Sequence, residues 1–302
     1  MKIDAKTSIY GIIGFPLGHT LSPAMHNAGF DAAGINAVYL PFPMKNILNI
    51  KYSMKQFGIK GLSVTIPHKI HIKRSLDQID SLAIQVGSVN TILWDKTGLL
   101  CGFTTDGAGA VNAIENYGFN MEGKNILVIG SGGSARSIIF SLLAKKPGKL
   151  GVVARNIHST RSIVRGVHSL RKPPQMDVFW YPPEMKPPRI RRKYEYILSD
   201  PEHLADYDLI VQTTPLGMSG HSGANQSPLP GVFLKKGQIL FDIVYNPQIT
   251  PFVKLALKKK LDIIPGYKML LYQGVRQFEL FTGIKAPVSA MEKALKAELL
   301  KI

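Results

Sequence analysis

The sequence lacks the features of a secreted or membrane-spanning protein. Its single cysteine, Cys101, excludes an internal disulfide and is typical of a protein kept in a reducing compartment. No run of residues approaches the ~18 consecutive apolar residues that suggest a membrane-spanning helix. Residues 1–15 contain neither a long apolar stretch nor a small-residue cleavage site, so we expect no signal peptide. We therefore expect a cytoplasmic protein with no membrane partner.

Acidic residues are also scarce. The chain has 20 Asp and Glu against 37 Lys and Arg, which gives a formal net charge of +17 and a pI of about 9.8. Such a charge attracts anions, which include phosphates, carboxylates and nucleic acids. An evenly basic, solvated surface without a specific partner is the alternative, and the charge alone does not decide between the two.

What the chain does contain is a repeated alternation of strand-like and helix-like segments, which is typical of parallel sheets covered by helices. One series occupies the first hundred residues, and a second begins at residue 124. A chain of 302 residues is long enough for two cores. We predict an α/β fold of two domains. The first domain is discontinuous (1–106 with 246–302), and the second spans 107–245.

One segment breaks this alternation. Residues 172–196 contain six prolines between positions 173 and 188, together with a basic cluster at 189–193. Because paired prolines are excluded from helix interiors and central strands, we predict a solvated surface insertion. A binding role for the basic cluster is the alternative.

The clearest single motif is a glycine-rich turn in the second domain. The strand-like run NILVI leads into Gly130-Ser131-Gly132-Gly133-Ser134-Ala135, and an apolar helical pattern follows. In this G-x-G-x-x-A pattern Gly130 permits a tight turn, and Gly132 lets backbone N–H groups approach a pyrophosphate. Ordinary turns also use glycine, but the strand before and the helix after indicate a Rossmann-type dinucleotide-binding domain.

The choice of dinucleotide follows from another absence. NAD sites usually carry an acidic residue about 20 residues beyond the glycine turn, where it binds the ribose 2′-hydroxyl. No acidic residue occurs between Glu122 and Asp177, and the second strand ends instead at Arg155. A guanidinium group there suits a 2′-phosphate through charge-assisted hydrogen bonds, and a solvated arginine is the plainer alternative. We predict NADP as the cofactor.

Three polar residues lie at predicted strand ends of the first domain. Lys69 ends the stretch GLSVTIPHK, Asn90 lies in VNT, and Asp106 lies in TTDG. Dehydrogenation of a secondary alcohol needs a group that exchanges the hydroxyl proton, and a lysine beside an aspartate can do so. The spacing leaves a plainer alternative open, in which Lys69 is an ordinary exposed lysine and Ser22 and Asp106 only cap helices.

Eight stretches, in this order, resemble the shikimate dehydrogenase family, and they cover nearly the whole chain. They are GHTLSPAMHN (18–27), GLSVTIPHK (61–69), VNT (89–91), TTDG (104–107), GSGGSA (130–135), TPLGM (214–218), DIVYNP (242–247) and GYKMLLYQ (266–273). The resemblance implies an NADP-dependent oxidoreductase that interconverts 3-dehydroshikimate and shikimate, a step in aromatic amino acid (chorismate) biosynthesis.

The resemblance also implies roles for individual residues, with Lys69 and Asp106 as the catalytic pair. The implied substrate contacts are Thr20, Ser22, Thr65, Lys69, Asn90, Asp106, Tyr245 and Gln273. The implied cofactor contacts are Gly130, Ser131, Gly132, Gly133, Ser134, Arg155, Ile243 and Gly266. By this similarity residues 1–106 with 246–302 bind the substrate and 107–245 bind NADP, so we expect the substrate between the two domains.

The chain departs from the usual family pattern at five positions. Thr20 stands in place of serine, Ser63, Thr104 and Gln212 in place of asparagines, and Lys268 in place of a common glycine. The methyl group added at position 20 leaves a quinate or dual quinate/shikimate dehydrogenase, with NAD or NADP, as an alternative. We expect Lys268 near the nicotinamide end, where it can alter cofactor affinity.

Further alternatives concern partners and polar pairs. Gln273 and Gln277 lie one turn apart and could form a solvated helix face.

His19, His26 and His68 lack the spacing of a metal site, so we expect no metal. A nucleotide-sensing or nucleic-acid-binding protein would use the basic charge, but it has no need of a proton-exchange pair. We expect a small-molecule substrate, no nucleic acid, and a monomer or a homodimer.

Overall fold

The computed structural model describes residues 3–18, 20–185 and 194–301, which form two compact units. Unit 1 comprises Met1–Gly109 and Leu270–Ile302, and unit 2 comprises Ala110–Met269. The chain therefore leaves unit 1 and returns to it, and the first unit is discontinuous. The proposed basic cluster at 189–193 and His19 lie outside the described residues.

Unit 1 is built on a six-stranded sheet. Its strands are β1 (Ser8–Gly14), β2 (Ala37–Pro43), β3 (Ile59–Val64), β4 (Gln78–Ile79), β5 (Thr91–Trp94) and β6 (Leu100–Phe103). Its helices are α1 (Ser22–Ala32), α2 (Ile50–Gln56), α3 (Ser81–Val86) and α9 (Val288–Leu299). Two further helices, α4 (Asp106–Asn116) and α8 (Tyr267–Thr282), begin in one unit and end in the other.

The strand order of the first sheet is β2-β1-β3-β5-β6-β4. Strands β1, β2 and β3 pair in parallel, whereas β5 pairs antiparallel with both β3 and β6. Because β5 runs in the opposite direction, its first residue lies at the same edge of the sheet as the last residues of β3 and β6. This edge is called the carboxyl edge below.

Apolar side chains pack against both faces of this sheet. One buried cluster joins the strands to α2 and α3, and burial of such side chains contributes about 25 cal/mol per Å². Its members include Ile13, Met54, Leu62, Ala83, Val89 and Ile92. Helix α1 packs against α9, and Gly29 of α1 lies so close to the ring of Phe278 that an added Cβ would be 3.0 Å from it. The carboxyl edge is therefore carried by a closely packed layer.

Unit 2 is built on a seven-stranded sheet in which every pairing is parallel. Its strands are β7 (Asn125–Ile129), β8 (Lys149–Ala154), β9 (Gln175–Trp180), β10 (Glu195–Ile197), β11 (Leu209–Gln212), β12 (Ile239–Asp242) and β13 (Asp262–Ile264). Its helices are α5 (Gly133–Leu143), α6 (Ile157–His168) and α7 (Pro251–Lys258). Short 3₁₀ segments across both units lie at His71–Ser75, Pro183–Met185, Pro201–Leu204 and Gly231–Phe233.

The strand order of the second sheet is β10-β9-β8-β7-β11-β12-β13. Without the edge strand β10, this is the strand order of a Rossmann sheet. From β7 the chain adds β8 and β9 on one side and β11 to β13 on the other, so the switch point lies between β7 and β11. Ligands of such sheets bind beyond the carboxyl ends of the strands at this switch point. A buried core that includes Leu127, Ile210 and Phe252 supports these strands. The predicted α/β fold with a Rossmann-type domain is confirmed.

Two sequence predictions need correction. The segment 172–196 is not wholly a surface insertion, because its apolar run QMDVFW forms strand β9, which pairs with both β8 and β10. The proline pairs at 173–174 and 182–183 flank this strand and leave its interior intact. Residues 246–269, which were assigned to the first domain, belong to unit 2, because β13 pairs with β12 and extends the second sheet.

Candidate active site

Three polar residues from separate parts of unit 1 meet at the carboxyl edge. Lys69 follows β3, Asn90 immediately precedes β5, and Asp106 opens α4 after β6. The backbone N–H of Val89 donates to the carbonyl of Lys69 at 2.9 Å, which fixes the lysine beside the start of β5. The antiparallel course of β5 thus places these three residues together.

Lys69 and Asp106 form an ion pair at this edge. The Nζ atom of Lys69 donates to Oδ2 of Asp106 at 2.6 Å, and Nδ2 of Asn90 donates to Oδ1 at 2.7 Å. The Lys69 side chain is 28% exposed and that of Asp106 is 10% exposed, so solvent and small molecules reach the ammonium group more easily than the carboxylate. Both carboxylate oxygens accept from side chains, so Asp106 is more than a helix cap, and Lys69 is not an ordinary exposed lysine.

The amide of Asn90 has a defined orientation. Its Oδ1 accepts from the backbone N–H of Thr105 at 2.9 Å and from the hydroxyl of Thr91 at 2.9 Å. Its Nδ2 donates to the hydroxyl of Thr105 at 2.9 Å as well as to Asp106. The side chain is buried, so these contacts decide which end of the amide faces the ion pair.

Three further candidate substrate residues lie at the same edge, in the segments that follow β1 and β3. Thr65 follows β3 and donates its backbone N–H to Ile13 O at 2.9 Å. Thr20 and Ser22 follow β1, which is parallel to β3. Ser22 is the first residue of α1 and is buried; the position before the helix belongs to Leu21, so Ser22 is not the helix cap.

The two glutamines of α8 are buried, which contradicts the solvated-face alternative. Gln273 donates from Nε2 to Leu270 O at 3.0 Å. Gln277 donates from Nε2 to the carbonyl of Asn90 at 3.1 Å and to the Thr91 hydroxyl at 3.0 Å. Sequence reasoning missed Gln277 as part of the site, although two glutamines one turn apart lie on the same face of a helix and can form one polar row.

The glycine turn of unit 2 has the geometry expected for a phosphate cradle. Gly130 has φ +116°, a conformation that favours glycine, and an added Cβ would lie 2.5 Å from Thr213 Oγ1. Gly132 is the N-cap residue of α5 and has no side chain to satisfy the first N–H groups of the helix. An added Cβ at Gly132 or Gly133 would meet no described atom within 4 Å. The turn therefore leaves room for an anion at the positive end of a helix.

Arg155 lies at the end of β8, next to this cradle in the sheet. Its side chain is exposed, and the following Asn156 caps α6 by accepting from Ser159 N at 3.0 Å. The hydroxyls of Ser131 and Ser159 lie 2.8 Å apart and link the glycine turn to the start of α6. A guanidinium beside a phosphate cradle fits the 2′-phosphate of NADP.

The loop after β12 contains the remaining candidates of unit 2. The backbone N–H of Ile243 donates to Gln212 O at 3.1 Å, and an added Cβ at Gly266 would overlap the carbonyl oxygens of Val244 and Asp242. Position 266 therefore requires glycine for a close approach of two backbone segments. Tyr245 belongs to unit 2, whereas the other candidate substrate residues belong to unit 1. Burial raises the pKa of Tyr245.

Asp242 supports this loop from the end of β12. Its carboxylate accepts from the backbone N–H of Val244 at 3.0 Å and from the hydroxyl of Thr250 at 2.7 Å. Burial raises the pKa of Asp242 to about 6, and the two hydrogen bonds act in the opposite direction.

Two departures from the family pattern have structural roles in unit 2. Gln212 donates from Nε2 to the carbonyls of Thr214 and Leu216, and its Oε1 accepts from Thr214 N at 2.7 Å. The longer amide thereby holds the loop after β11 in place. Lys268 lies with its Nζ 5.5 Å from the ring centre of Tyr267, on the first turn of α8.

Residues 3–18, 20–185 and 194–301 contain no group of three or more His, Cys, Asp or Glu side chains that could hold a metal ion. Within the same residues no helix is long and apolar enough to cross a membrane.

Comparison with known proteins decides the family. The model of the shikimate dehydrogenase substrate binding domain matches residues 12–92, and that of the shikimate 5'-dehydrogenase C-terminal domain matches residues 266–296. A relative from Methanobrevibacter smithii named shikimate dehydrogenase (NADP(+)) is 34% identical over 299 residues, which cover 98% of this chain and 99% of the relative. The chain belongs to the shikimate dehydrogenase family.

Other members of the shikimate dehydrogenase family agree with this assignment. A relative of the same name from Geobacter sp. (strain M21) is 37% identical over 302 residues, covering 99% of this chain and 98% of the relative. A crystal structure of a shikimate dehydrogenase in complex with NADP⁺ has 32% identity and a TM-score of 0.83, and covers 99% of this chain and 98% of that one. The predictions of an NADP-dependent enzyme of this family are confirmed, and the names of the relatives do not favour the quinate alternative.

Proposed function

We propose that this chain catalyses the reversible NADP-dependent reduction of 3-dehydroshikimate to shikimate, with Lys69 and Asp106 as its catalytic residues. The observation that supports these roles is the 2.6 Å ion pair, in which Asn90 donates to the second carboxylate oxygen at the carboxyl edge of unit 1. An accessible ammonium group paired with a less accessible carboxylate is suited to exchange a proton with a bound hydroxyl group.

In this proposal unit 1 binds the ring acid. The hydroxyls of Thr20 and Ser22 bind the substrate carboxylate, and the side chains of Asn90 and Gln273 bind ring hydroxyls. Thr65 and Tyr245 complete the substrate contacts. The shared sheet edge supports the assignments of Thr20, Ser22, Thr65 and Asn90, because parallel strands direct their following loops to the same side.

In the same proposal unit 2 binds NADP. The backbone N–H groups from Gly130 to Ser134 would hold the pyrophosphate, Arg155 would hold the 2′-phosphate, and Ile243 and Gly266 would contact the nicotinamide half. The open space above Gly132 and the exposed guanidinium of Arg155 support this fit. When bound, NADP would supply the hydride chemistry of this oxidation and reduction.

The chain's own contribution is binding, orientation and proton exchange. When shikimate is oxidised, the Lys69–Asp106 pair takes up the proton of the hydroxyl group whose carbon loses the hydride. When 3-dehydroshikimate is reduced, the pair returns that proton to the new hydroxyl group. Asn90 keeps Asp106 against Lys69 throughout. The cytoplasmic location and the monomeric or homodimeric state stay predictions.

The test is a steady-state assay of the purified chain, following reduced nicotinamide with shikimate or quinate and with NADP or NAD. We expect the highest kcat/KM for shikimate with NADP. The Lys69→Met variant should lose about a hundredfold or more in kcat while KM changes little, because a proton-exchange group acts on the chemical step.

Lys51→Met is the matched control, because Lys51 forms an ion pair with Asp77 away from the carboxyl edge. Near-normal turnover of Lys69→Met would remove this lysine from catalysis. A preference of the unmodified chain for quinate with NAD would contradict the substrate assignment.

A further inference from the structure

Buried polar side chains behind Asn90 form a continuous row of hydrogen bonds in unit 1. The row starts on β2, where the hydroxyl of Tyr39 donates to Ser63 Oγ at 2.6 Å. The hydroxyl of Ser63 on β3 donates to Oε1 of Gln277 on α8 at 2.9 Å. All three side chains are buried, so water does not replace these contacts.

The row continues from Gln277 to the active site. Its Nε2 donates to the hydroxyl of Thr91 at 3.0 Å and to the carbonyl of Asn90 at 3.1 Å. The hydroxyl of Thr91 donates to Asn90 Oδ1 at 2.9 Å, and Asn90 Nδ2 donates to Asp106 at 2.7 Å. The side chains of Tyr39, Ser63, Gln277, Thr91 and Asn90 are called the Gln277 relay below.

Every side-chain bond of the relay has the same direction. Each hydroxyl or amide accepts from the side that leads to Tyr39 and donates toward Asp106, where the row ends on a carboxylate. A serine or threonine hydroxyl has one proton to donate, so the direction of one bond fixes the direction of the next. Aligned hydrogen bonds of this kind polarise one another in a buried environment.

The relay follows from the sheet topology. Ser63 and Thr91 are register partners of β3 and β5, and Gln277 of α8 bridges them above the sheet. Ser63 stands where the usual family pattern has an asparagine, so the hydroxyl that links Tyr39 to Gln277 departs from that pattern. Burial raises the pKa of Tyr39, while hydrogen bonds with Ser63 and Ser22 lower it. Tyr39 thus also connects the relay to a candidate substrate residue.

The relay does more than satisfy buried polar atoms, because its last member is an amide with two chemically different ends. If the Asn90 amide were reversed, its oxygen would face the carboxylate of Asp106, and Asp106 would lose a hydrogen bond beside Lys69. The backbone N–H of Thr105 and the proton of Thr91 both oppose that reversal, because each requires an acceptor at Asn90, and of these two donors only Thr91 is set by the relay. Gln277 in turn occupies the acceptor position of Thr91 and leaves its proton free for Asn90.

We propose that Gln277 is a positioning residue for the reaction: through Thr91 it orients the amide of Asn90, and thereby holds Asp106 against Lys69. This inference rests on the proposed function, since it concerns the same proton-exchange pair. Ser63 supports Gln277 by fixing which end of its amide faces Thr91.

The sharpest test is Gln277→Glu, which keeps the shape and makes donation dependent on pH. A neutral carboxyl group accepts from Ser63 and donates its one proton to Thr91, and it gives up only the second donation of the amide, to the carbonyl of Asn90. An ionised carboxylate only accepts, so the proton of Thr91 turns toward it and leaves Asn90. Burial raises the pKa of such a carboxyl group, whereas a proton on the buried imidazole of His26, which interacts with the side chain of Gln277 from α1, would lower it. The pH profile is therefore measured for Gln277→Glu alone and together with His26→Leu, which leaves the carboxyl group as the group that titrates there. We expect kcat to fall about tenfold or more as this group ionises, with a step that the unmodified enzyme lacks.

Three further variants complete the test. Gln277→Met removes both ends of the amide at similar volume, and we expect about a tenfold loss of kcat at every pH, without the additional step. Ser63→Ala should lower kcat in the same direction by a smaller factor. Tyr10→Phe is the control, because it removes a buried hydrogen bond of 3.0 Å to the carbonyl of Phe281 on α8 without touching the relay. It should lower the thermal midpoint and leave kcat and its pH profile unchanged.

Each kcat is calculated per folded active site. The number of folded sites is measured by NADP titration, because in the proposal NADP binds to unit 2 and the variants lie in unit 1. The inference is overturned if kcat of Gln277→Glu keeps the pH profile of the unmodified enzyme and Ser63→Ala keeps its kcat, even where Gln277→Met fails to fold. In that case the relay is purely structural, while the loss of kcat in Lys69→Met still supports the proposed function. Absence of shikimate oxidation by the unmodified chain would instead reject the proposed function itself.

Discussion

Asn90 and Asp106 are joined by a hydrogen bond of 2.7 Å between Nδ2 and Oδ1, although 16 positions separate them in the chain. This bond and the bond from Lys69 occupy different oxygens of one carboxylate. The carboxyl group is therefore an acceptor on both sides, and any substitution that introduces a donor there disturbs the pair.

Asp106→Asn is expected to lower kcat about a hundredfold or more, because one end of the new amide would present N–H groups to Lys69 or to Asn90. Steady-state kinetics with shikimate and NADP measure the loss. Asp77→Asn is the control, since Asp77 pairs with Lys51 at 2.5 Å beside the opposite end of β6. Equal kcat values for the two variants would show that the charge of Asp106 is not needed.

Arg155→Ala is expected to raise KM for NADP about tenfold while KM for NAD changes less than about twofold, because only NADP carries the 2′-phosphate. Parallel titrations with the two dinucleotides provide the measurement. Arg171→Ala removes an exposed positive charge elsewhere in unit 2 and controls for a general effect of charge. An equal loss for both cofactors would mean that Arg155 does not bind the 2′-phosphate.

Gly132→Ala is expected to weaken NADP binding about tenfold and to leave the thermal midpoint nearly unchanged. The backbone at Gly132 (φ −77°) accepts a side chain, and the new methyl group meets no described atom within 4 Å, so it occupies only space meant for the phosphate. Gly266→Ala should instead lower the thermal midpoint, since its Cβ would overlap two carbonyl oxygens and destabilise unit 2. A large drop in the midpoint of Gly132→Ala would contradict this assignment.

Unit 1 is expected to lose stability in acid through His26. Burial lowers the pKa of His26 from 6.5 to about 3, so the unfolded chain binds a proton at pH values where the folded chain does not. The free energy of unfolding should therefore decrease as the pH falls from 6.5 toward 3, by at most about 1.4 kcal/mol per pH unit. Denaturation followed at several pH values should show a smaller slope for His26→Leu. Identical slopes would mean that His26 does not remain neutral in the folded state.

Unit 2 is expected to show the opposite dependence through Asp242. Its pKa is raised from 3.8 to about 6, so the folded state keeps a proton that the unfolded state releases. The free energy of unfolding of unit 2 should decrease as the pH rises from about 4 to 6 and then level off. Asp242→Asn should remove this decrease, which hydrogen exchange of unit 2 amides measures separately from unit 1. A decrease that persists in the variant would assign it to other groups.

Much of the fold follows from local patterns that the sequence displays. The strand before Gly130 and the helix after it were predictable, because a glycine with positive φ and a helix start need neighbours only a few residues away. Strand β9 was not, because the flanking prolines suggested a loop, and only pairing with β8 and β10 shows that the run between them is buried. The chain returns to unit 1 only after Met269, later than the sequence suggested, because β13 pairs with β12 and so belongs to unit 2. This pairing joins residues that are more than 20 positions apart.

The sequence by itself determined the family, the glycine turn, the absence of an acidic residue after it, and the residue types of the proton-exchange pair. Tertiary structure decided that Gln277 is buried against Asn90, that Asp106 accepts from two sides, and that Ser22 is the first residue of α1 and not its cap. The physical reason is distance along the chain. Turns and helix starts depend on adjacent residues, whereas the burial of a polar side chain and its hydrogen-bond partner depend on which strands and helices pack together.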